Sequence, residues 1–137
     1  MIRSVIMFCA EGVVQDAQTN NISAFNIFQR LASPAFPLFI QKFYVFNLLE
    51  REDSDPAIID CRIVITNNEI ELFSFPARID FRNSNLTRSI GTIVGLSITN
   101  PGTLTFTFYM GSTSLASYII KVDNTNPPQG TIENTNP

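Results

Sequence analysis

The sequence predicts an all-β protein, a single antiparallel β-sandwich of about seven to nine strands, on three observations. Apolar and polar residues alternate with period two from residue 57 onward, the pattern of half-buried strands. Asn, Pro and Gly interrupt that alternation at hairpin intervals. Apolar residues make up 45% of 137, and a chain of roughly 150 residues can hide about 68% of its unfolded surface, so a core forms without metal or disulfide support. Hairpins strung in this way belong to the immunoglobulin-like or a related Greek-key sandwich.

Residues 1–10, Met-Ile-Arg-Ser-Val-Ile-Met-Phe-Cys-Ala, form a first strand. They lack the apolar run and small-residue cleavage site of a secretory leader. Residues 22–31 fit a helix through Ala24, Ile27, Phe28 and Leu31 and a strand through Phe25, Ile27 and Leu31 equally well. Pro34 and Pro37 then force an extended connection, because each biases its predecessor away from helix. Residues 38–49 are apolar on both faces, with Leu38, Ile40, Tyr44, Phe46 and Leu48 on one and Phe39, Phe43, Val45 and Leu49 on the other. One face fills the core; the other needs a cover from this chain, a second copy or a different protein. No segment approaches the ~20 apolar residues that span a bilayer, so the expectation is a soluble, cytoplasmic protein with no membrane association.

Strands at 57–66 and 69–75 are separated by Asn67-Asn68, a pair suited to a two-residue turn. A further strand covers 77–81, with Pro76 marking a bulge or an edge. In 90–98 the even positions Ile90, Val94, Leu96 and Ile98 are expected in the core, with Gly91 and Gly95 opposite. Residues 103–110 alternate most regularly: Leu104, Phe106, Phe108 and Met110 face inward, and Thr103, Thr105, Thr107 and Tyr109 outward. Gly111-Ser-Thr113 turns the chain into a last strand at 114–122. Residues 123–137 contain one aliphatic side chain, too little to offset the entropy of ordering. The domain is therefore 1–122, followed by a flexible tail.

Composition removes whole classes of chemistry. With no histidine there is no Ser-His-Asp triad, no Cys-His nucleophile and no His-ligated zinc. Nine Lys and Arg against twelve Asp and Glu, a net charge of −3, disfavour nucleic acid, which binds basic surfaces. Cys9 and Cys61 both lie at apolar positions and read as free core thiols of a reducing compartment.

The order of motifs resembles a family of small, uncharacterised bacterial all-β proteins. The residues that carry the likeness are Cys9-Ala-Glu-Gly and Asp16, then Asn21-Ile-Ser-Ala-Phe-Asn-Ile27, then Phe36-Pro37, and finally the Gly-Leu-x-Ile to Pro-Gly-x-Leu-x-Phe hairpin between Gly95 and Phe106. The resemblance spans about residues 1–122. It implies that 22–31 is mainly strand, and it implies no activity.

Four places have chemistry to weigh. Glu50-Arg-Glu-Asp-Ser-Asp55 is acidic enough to suggest a calcium loop, but lacks the glycine-assisted spacing of one and reads as a solvated loop. Glu69 and Glu71, two apart on a strand, share a face; a hydrolase using carboxylates alone would need a second element in a pocket. Arg78, Asp80 and Arg82 alternate on one face with Arg88 nearby, either as a salt-bridge ladder centred on Asp80 or as a site for a partner or an anion. Thr105, Thr107 and Tyr109 line a flat, uncharged face able to receive a second sheet. By elimination the expected function is a non-catalytic protein-binding or assembly module, self-associating or binding another protein, with Arg78, Arg82, Arg88, Thr105, Thr107 and Tyr109 as candidate interaction residues and no cofactor or metal. The alternatives are a small-ligand or carbohydrate-binding sandwich and a carboxylate-only hydrolase.

Overall fold

A computed structural model describes residues 1–125. Nine strands follow in order: β1 (Arg3–Gln15), β2 (Ile22–Ile27), β3 (Arg30–Ser33), β4 (Leu38–Glu50), β5 (Ile58–Asn67), β6 (Ile70–Asp80), β7 (Leu86–Ile98), β8 (Gly102–Met110) and β9 (Thr113–Asn124). They form a four-stranded sheet, β2-β1-β4-β7, and a five-stranded sheet, β3-β9-β8-β5-β6. All pairings are antiparallel except β3 with β9, which run parallel. Residues 22–31 are thus extended, as the family resemblance implied, with the chain crossing between sheets at Phe28 and Gln29. Among the described residues no helix is long and apolar enough to cross a membrane.

The core lies between the sheets. From the five-stranded sheet come Ile63, Ile65, Leu104, Phe106, Phe108, Ile120 and Val122; from the other come Cys9, Phe43, Val45, Leu49, Ile93, Leu96 and Ile98. Phe43 and Phe106 meet edge to face across the gap, with ring centroids 5.7 Å apart. Burying each such side chain contributes roughly 1.5–3 kcal/mol. The turns at one end are held by Asn67, which is buried. Its Nδ2 donates to the Asn100 and Thr103 carbonyls at 3.1 and 3.3 Å, and its Oδ1 accepts from Thr99 Oγ1 and the Asn100 N–H, both at 3.0 Å. One side chain thereby satisfies the β7–β8 turn from the adjacent strand.

Several expectations need correction. The β5–β6 turn is Asn68-Glu69, not Asn67-Asn68: Asn67 pairs with Ile70 and the two residues between have φ of 51° and 70°. Asn67 is displaced from the turn because its side chain is used inside the fold. The strands expected at 69–75 and 77–81 are one, β6 (Ile70–Asp80), and Pro76 is tolerated because β6 is an edge. β9 continues to Asn124, two residues past the expected boundary, where Arg30 and Asp123 form an ion pair at 3.0 Å. The rest of the expected tail, 126–137, lies outside the described residues.

The largest correction concerns which residues face inward on β7 and β4. Ile98 and Leu96 are buried as expected, but Val94 is 74% exposed and Ile93 is buried in its place. The inward parity flips at Gly95, whose φ of +78° lies in the left-handed region, and it flips in β4 at the same level. Leu38 and Ile40 consequently share the core with Phe43, Val45 and Leu49, and Phe39 is exposed. The pairing register is unbroken across the flip. A left-handed residue turns the strand over locally without adding one to either side.

Candidate interaction site

Arg78 and Asp80 sit on β6, Arg82 in the turn that follows, and Thr87, Arg88 and Ser89 on β7; together they line a groove of about 440 Å³. β6 and β7 are the edges of different sheets, so the groove opens where the sandwich is not closed by a strand. The turn is shaped locally. Asp80 Oδ1 accepts the Arg82 backbone N–H at 2.9 Å, and Arg82 and Asn83 both take left-handed φ, 51° and 62°. Asparagine is at ease there, whereas arginine is an uncommon occupant.

The expected salt-bridge ladder does not form. Among the described residues Asp80 makes no ion pair, and neither does Asp60, although it stands opposite Arg78 in register. The other four arginines are all engaged. Arg3 pairs with Glu50 and Arg30 with Asp123; Arg51 donates to the Ser84 and Asp55 carbonyls and lies over the Phe81 ring; Arg62 lies over the Tyr109 ring at 4.5 Å. Arg88 has a single contact with a neutral group, donating to Asn20 Oδ1 at 3.2 Å. The three arginines without an anionic or aromatic partner among the described residues are the three that share the groove.

Behind the groove, Asn47 of β4 is directly opposite Ser89 in register. Asn47 is 1% exposed; its Oδ1 accepts from Ser4 Oγ at 3.0 Å, while its Nδ2 has no partner among the described residues. An unmade buried hydrogen bond costs free energy, and this one adjoins a hydroxyl of the groove wall.

Thr105, Thr107 and Tyr109 are elsewhere. They lie on the outer face of β8, with β5 between them and β6, and are half-buried. Thr107 accepts from Ser117 Oγ at 3.3 Å, and Tyr109 is capped by Arg62. The structure therefore brings Arg78, Arg82 and Arg88 together and leaves the threonine face as a separate patch.

A second hollow was not foreseen. The turn between β1 and β2 folds back toward Arg88, through Asn20, and the hairpin leans over the outer face of the four-stranded sheet. A slot of about 670 Å³ results, lined by Ile6, Phe8, Phe46 and Leu48 from the sheet and Ile22 and Ile27 from the hairpin, with Arg88 at one side. Phe8 stacks on Phe46 at 4.8 Å, leaving Phe46 only 4% exposed. Part of the cover that β4 requires is thus supplied by this chain. The doubly apolar pattern of β4 signalled the need for a cover, but the hairpin that provides it carries no signal of its own.

The remaining candidates resolve simply. The 50–55 loop binds itself and its neighbours: the Met1 ammonium lies 2.7 Å from Glu52 and 2.8 Å from Asp55, which holds the Asp55 carboxyl below its usual range. No cluster of three or more metal-ligating side chains occurs among the described residues. Glu69 is in a turn and Glu71 on a strand, so the pair does not share a strand face. Cys9 and Cys61 are buried and free. Burial pushes both thiols up, Cys61 to about 11, so neither is a nucleophile near neutral pH.

No family model matches the chain, and no curated protein matches it. Among solved structures it is similar to an immunoglobulin-like protein from Pseudomonas aeruginosa, at 13% identity and a TM-score of 0.37, over 89% of this chain and 96% of that one.

Proposed function

We propose that this chain is an immunoglobulin-like sandwich acting as a non-catalytic protein-binding or assembly module. The strand order supports the fold assignment: the β8–β9 and β5–β6 hairpins pair through β8 and β5, and the chain changes sheet on either side of β3, between β4 and β5, and on either side of β7, a Greek-key arrangement. The free thiols support a reducing, cytoplasmic setting.

The observation that carries the functional reading is the distribution of exposed apolar side chains. Nine of the large ones belong to strands of the four-stranded sheet, among them Ile6, Phe25, Ile27, Phe39, Ile90 and Val94, against four on the larger sheet. Apolar surface gathered on one side marks an interaction site. Light scattering across a hundredfold dilution tests self-association, and pull-down from native lysate tests a different partner. A strict monomer with no co-purifying protein overturns the proposal. The slot beneath the β1–β2 hairpin favours a second reading, a small-ligand-binding sandwich, since its volume falls within the roughly 300–1,000 Å³ of ligand pockets.

A further inference from the structure

The four sheet edges are protected to very different degrees. β3 is four residues long and β2 six, too short to template much pairing; β6 has eleven residues but carries Pro76 and three charged side chains. β7 has thirteen residues, no proline and one charge, Arg88. Long, uncharged edges are usually blunted because they invite another strand. Near the groove, β6 comes close to β7, and Gly91 lies against the Phe75 ring. Beyond Gly91, β7 has β4 on one side and, among the described residues, no strand on the other, with Val94 exposed beside the open edge. The three uncompensated arginines stand at the other end of the same edge.

We propose that the Arg78, Arg82 and Arg88 groove is a carboxylate-binding site, and that its occupant is an extended acidic segment of a partner polypeptide laid along the free edge of β7. This rests on the protein-binding reading above and specifies its partner. Strand addition supplies affinity through main-chain hydrogen bonds, and side-chain pockets select the sequence. Here the selecting element is electrostatic. Guanidinium forks match carboxylates two bonds at a time, the Thr87 and Ser89 hydroxyls offer further donors, and the net charge of −3 gives no general attraction for acids away from this groove. A second copy of the chain is a poorer occupant, because β7 carries no carboxylate to set against the arginines of its partner.

The test uses the full chain labelled for NMR and three probes: a ten-residue peptide of alternating valine and threonine ending in three glutamates, the same peptide ending in three lysines, and inorganic phosphate. The acidic peptide is expected to shift the Nε–H signals of all three arginines and to slow exchange of β7 amides between residues 92 and 98. Its affinity should fall with salt, as exposed charge contacts do, and drop about tenfold, or 1.4 kcal/mol, in each of Arg78→Gln and Arg82→Gln. Both variants should retain the wild-type melting temperature. Binding of the lysine peptide, or of neither peptide, overturns the proposal. Phosphate bound as tightly without slowing of β7 amides overturns the peptide occupant in favour of a small-oxyanion site. β7 amides that are slow in the free protein and quicken on dilution show that a second copy covers the edge. Self-association or partner capture that survives Arg78→Gln, Arg82→Gln and Arg88→Gln together removes this site while leaving the assembly reading in place.

Discussion

β7 and β8 are consecutive strands built largely from β-forming residues, and they obey different rules. β8 lies between β5 and β9, and its alternation holds without a break: Leu104, Phe106 and Phe108 are all fully buried. Among the described residues β7 pairs only with β4, turns over at Gly95, and leaves Leu86, Ile90 and Val94 in solvent. Where a strand has two ladders its side-chain directions are dictated from both sides, and β4 turns over only past Tyr44, its last pairing with β1. A strand with one ladder is free to twist, and what it exposes is available to something other than its own fold.

The largest expected effect follows from the central strand. Phe106→Ala removes a fully buried ring packed on Phe43 and should cost about 3–5 kcal/mol by urea unfolding. A loss below about 1 kcal/mol would mean the interior tolerates β8 as loosely as the surface tolerates β7, and the contrast would collapse.

That contrast also explains what was legible beforehand. A strand total of about seven to nine, the inward set of β8 and the apolar setting of both cysteines follow from local alternation, which needs no partner to interpret. The inversion at Gly95 was hidden because period-two counting assumes every residue is extended with negative φ, and a glycine in sequence does not announce its φ. Arg78, Arg82 and Arg88 were legible as a cluster because the first two fall on the same phase of the period-two pattern and the third follows a short turn. Their freedom from acids was not, since Asp80 looked like a partner until its carboxylate was found on the Arg82 backbone N–H. The groove itself depends on β6 and β7 being edges of different sheets, a long-range property with no local trace.

Gly95→Ala sharpens the comparison at its hinge. A β-carbon at φ +78° costs roughly 1–2 kcal/mol, with the Phe39 ring 3.5 Å away, and Gly95→Asn should recover part of the loss. Unchanged stability in the alanine variant would show that the inversion does not require a left-handed residue. The corresponding test at a core position of β8 has no such dependence on backbone hand.

A weaker effect is expected in the β1–β2 hairpin, whose outer strand is also an edge. Asp16 accepts the Gln18 and Thr19 backbone N–H groups at 2.8 and 3.0 Å, and these bonds hold its carboxyl below the usual range. A depressed folded-state pKa contributes stability above the unfolded pKa and loses it as pH falls through the folded one. Protection of the amides in this turn, measured against their intrinsic exchange rates, should therefore fall on acidification below about pH 4, the ordinary range of an aspartate, with protection of the β8 amides responding less. Asp16→Asn should remove most of that pH dependence, and an unaltered profile would show that the carboxylate does not hold the turn.

The smallest effect on stability belongs to Val94, and it isolates what the edge is for. At 74% exposure its side chain adds almost nothing to the interior. Threonine keeps the β-branched shape that suits a strand, so Val94→Thr should leave unfolding free energy within about 0.5 kcal/mol of the parent. The same substitution removes apolar surface beside the open edge of β7, where a partner strand would pack. Measured together, unchanged urea unfolding with weakened self-association or partner capture assigns Val94 to the interface. A stability loss above about 1 kcal/mol would instead make the exposed edge part of the fold's own support, and β7 would then differ from β8 in degree only.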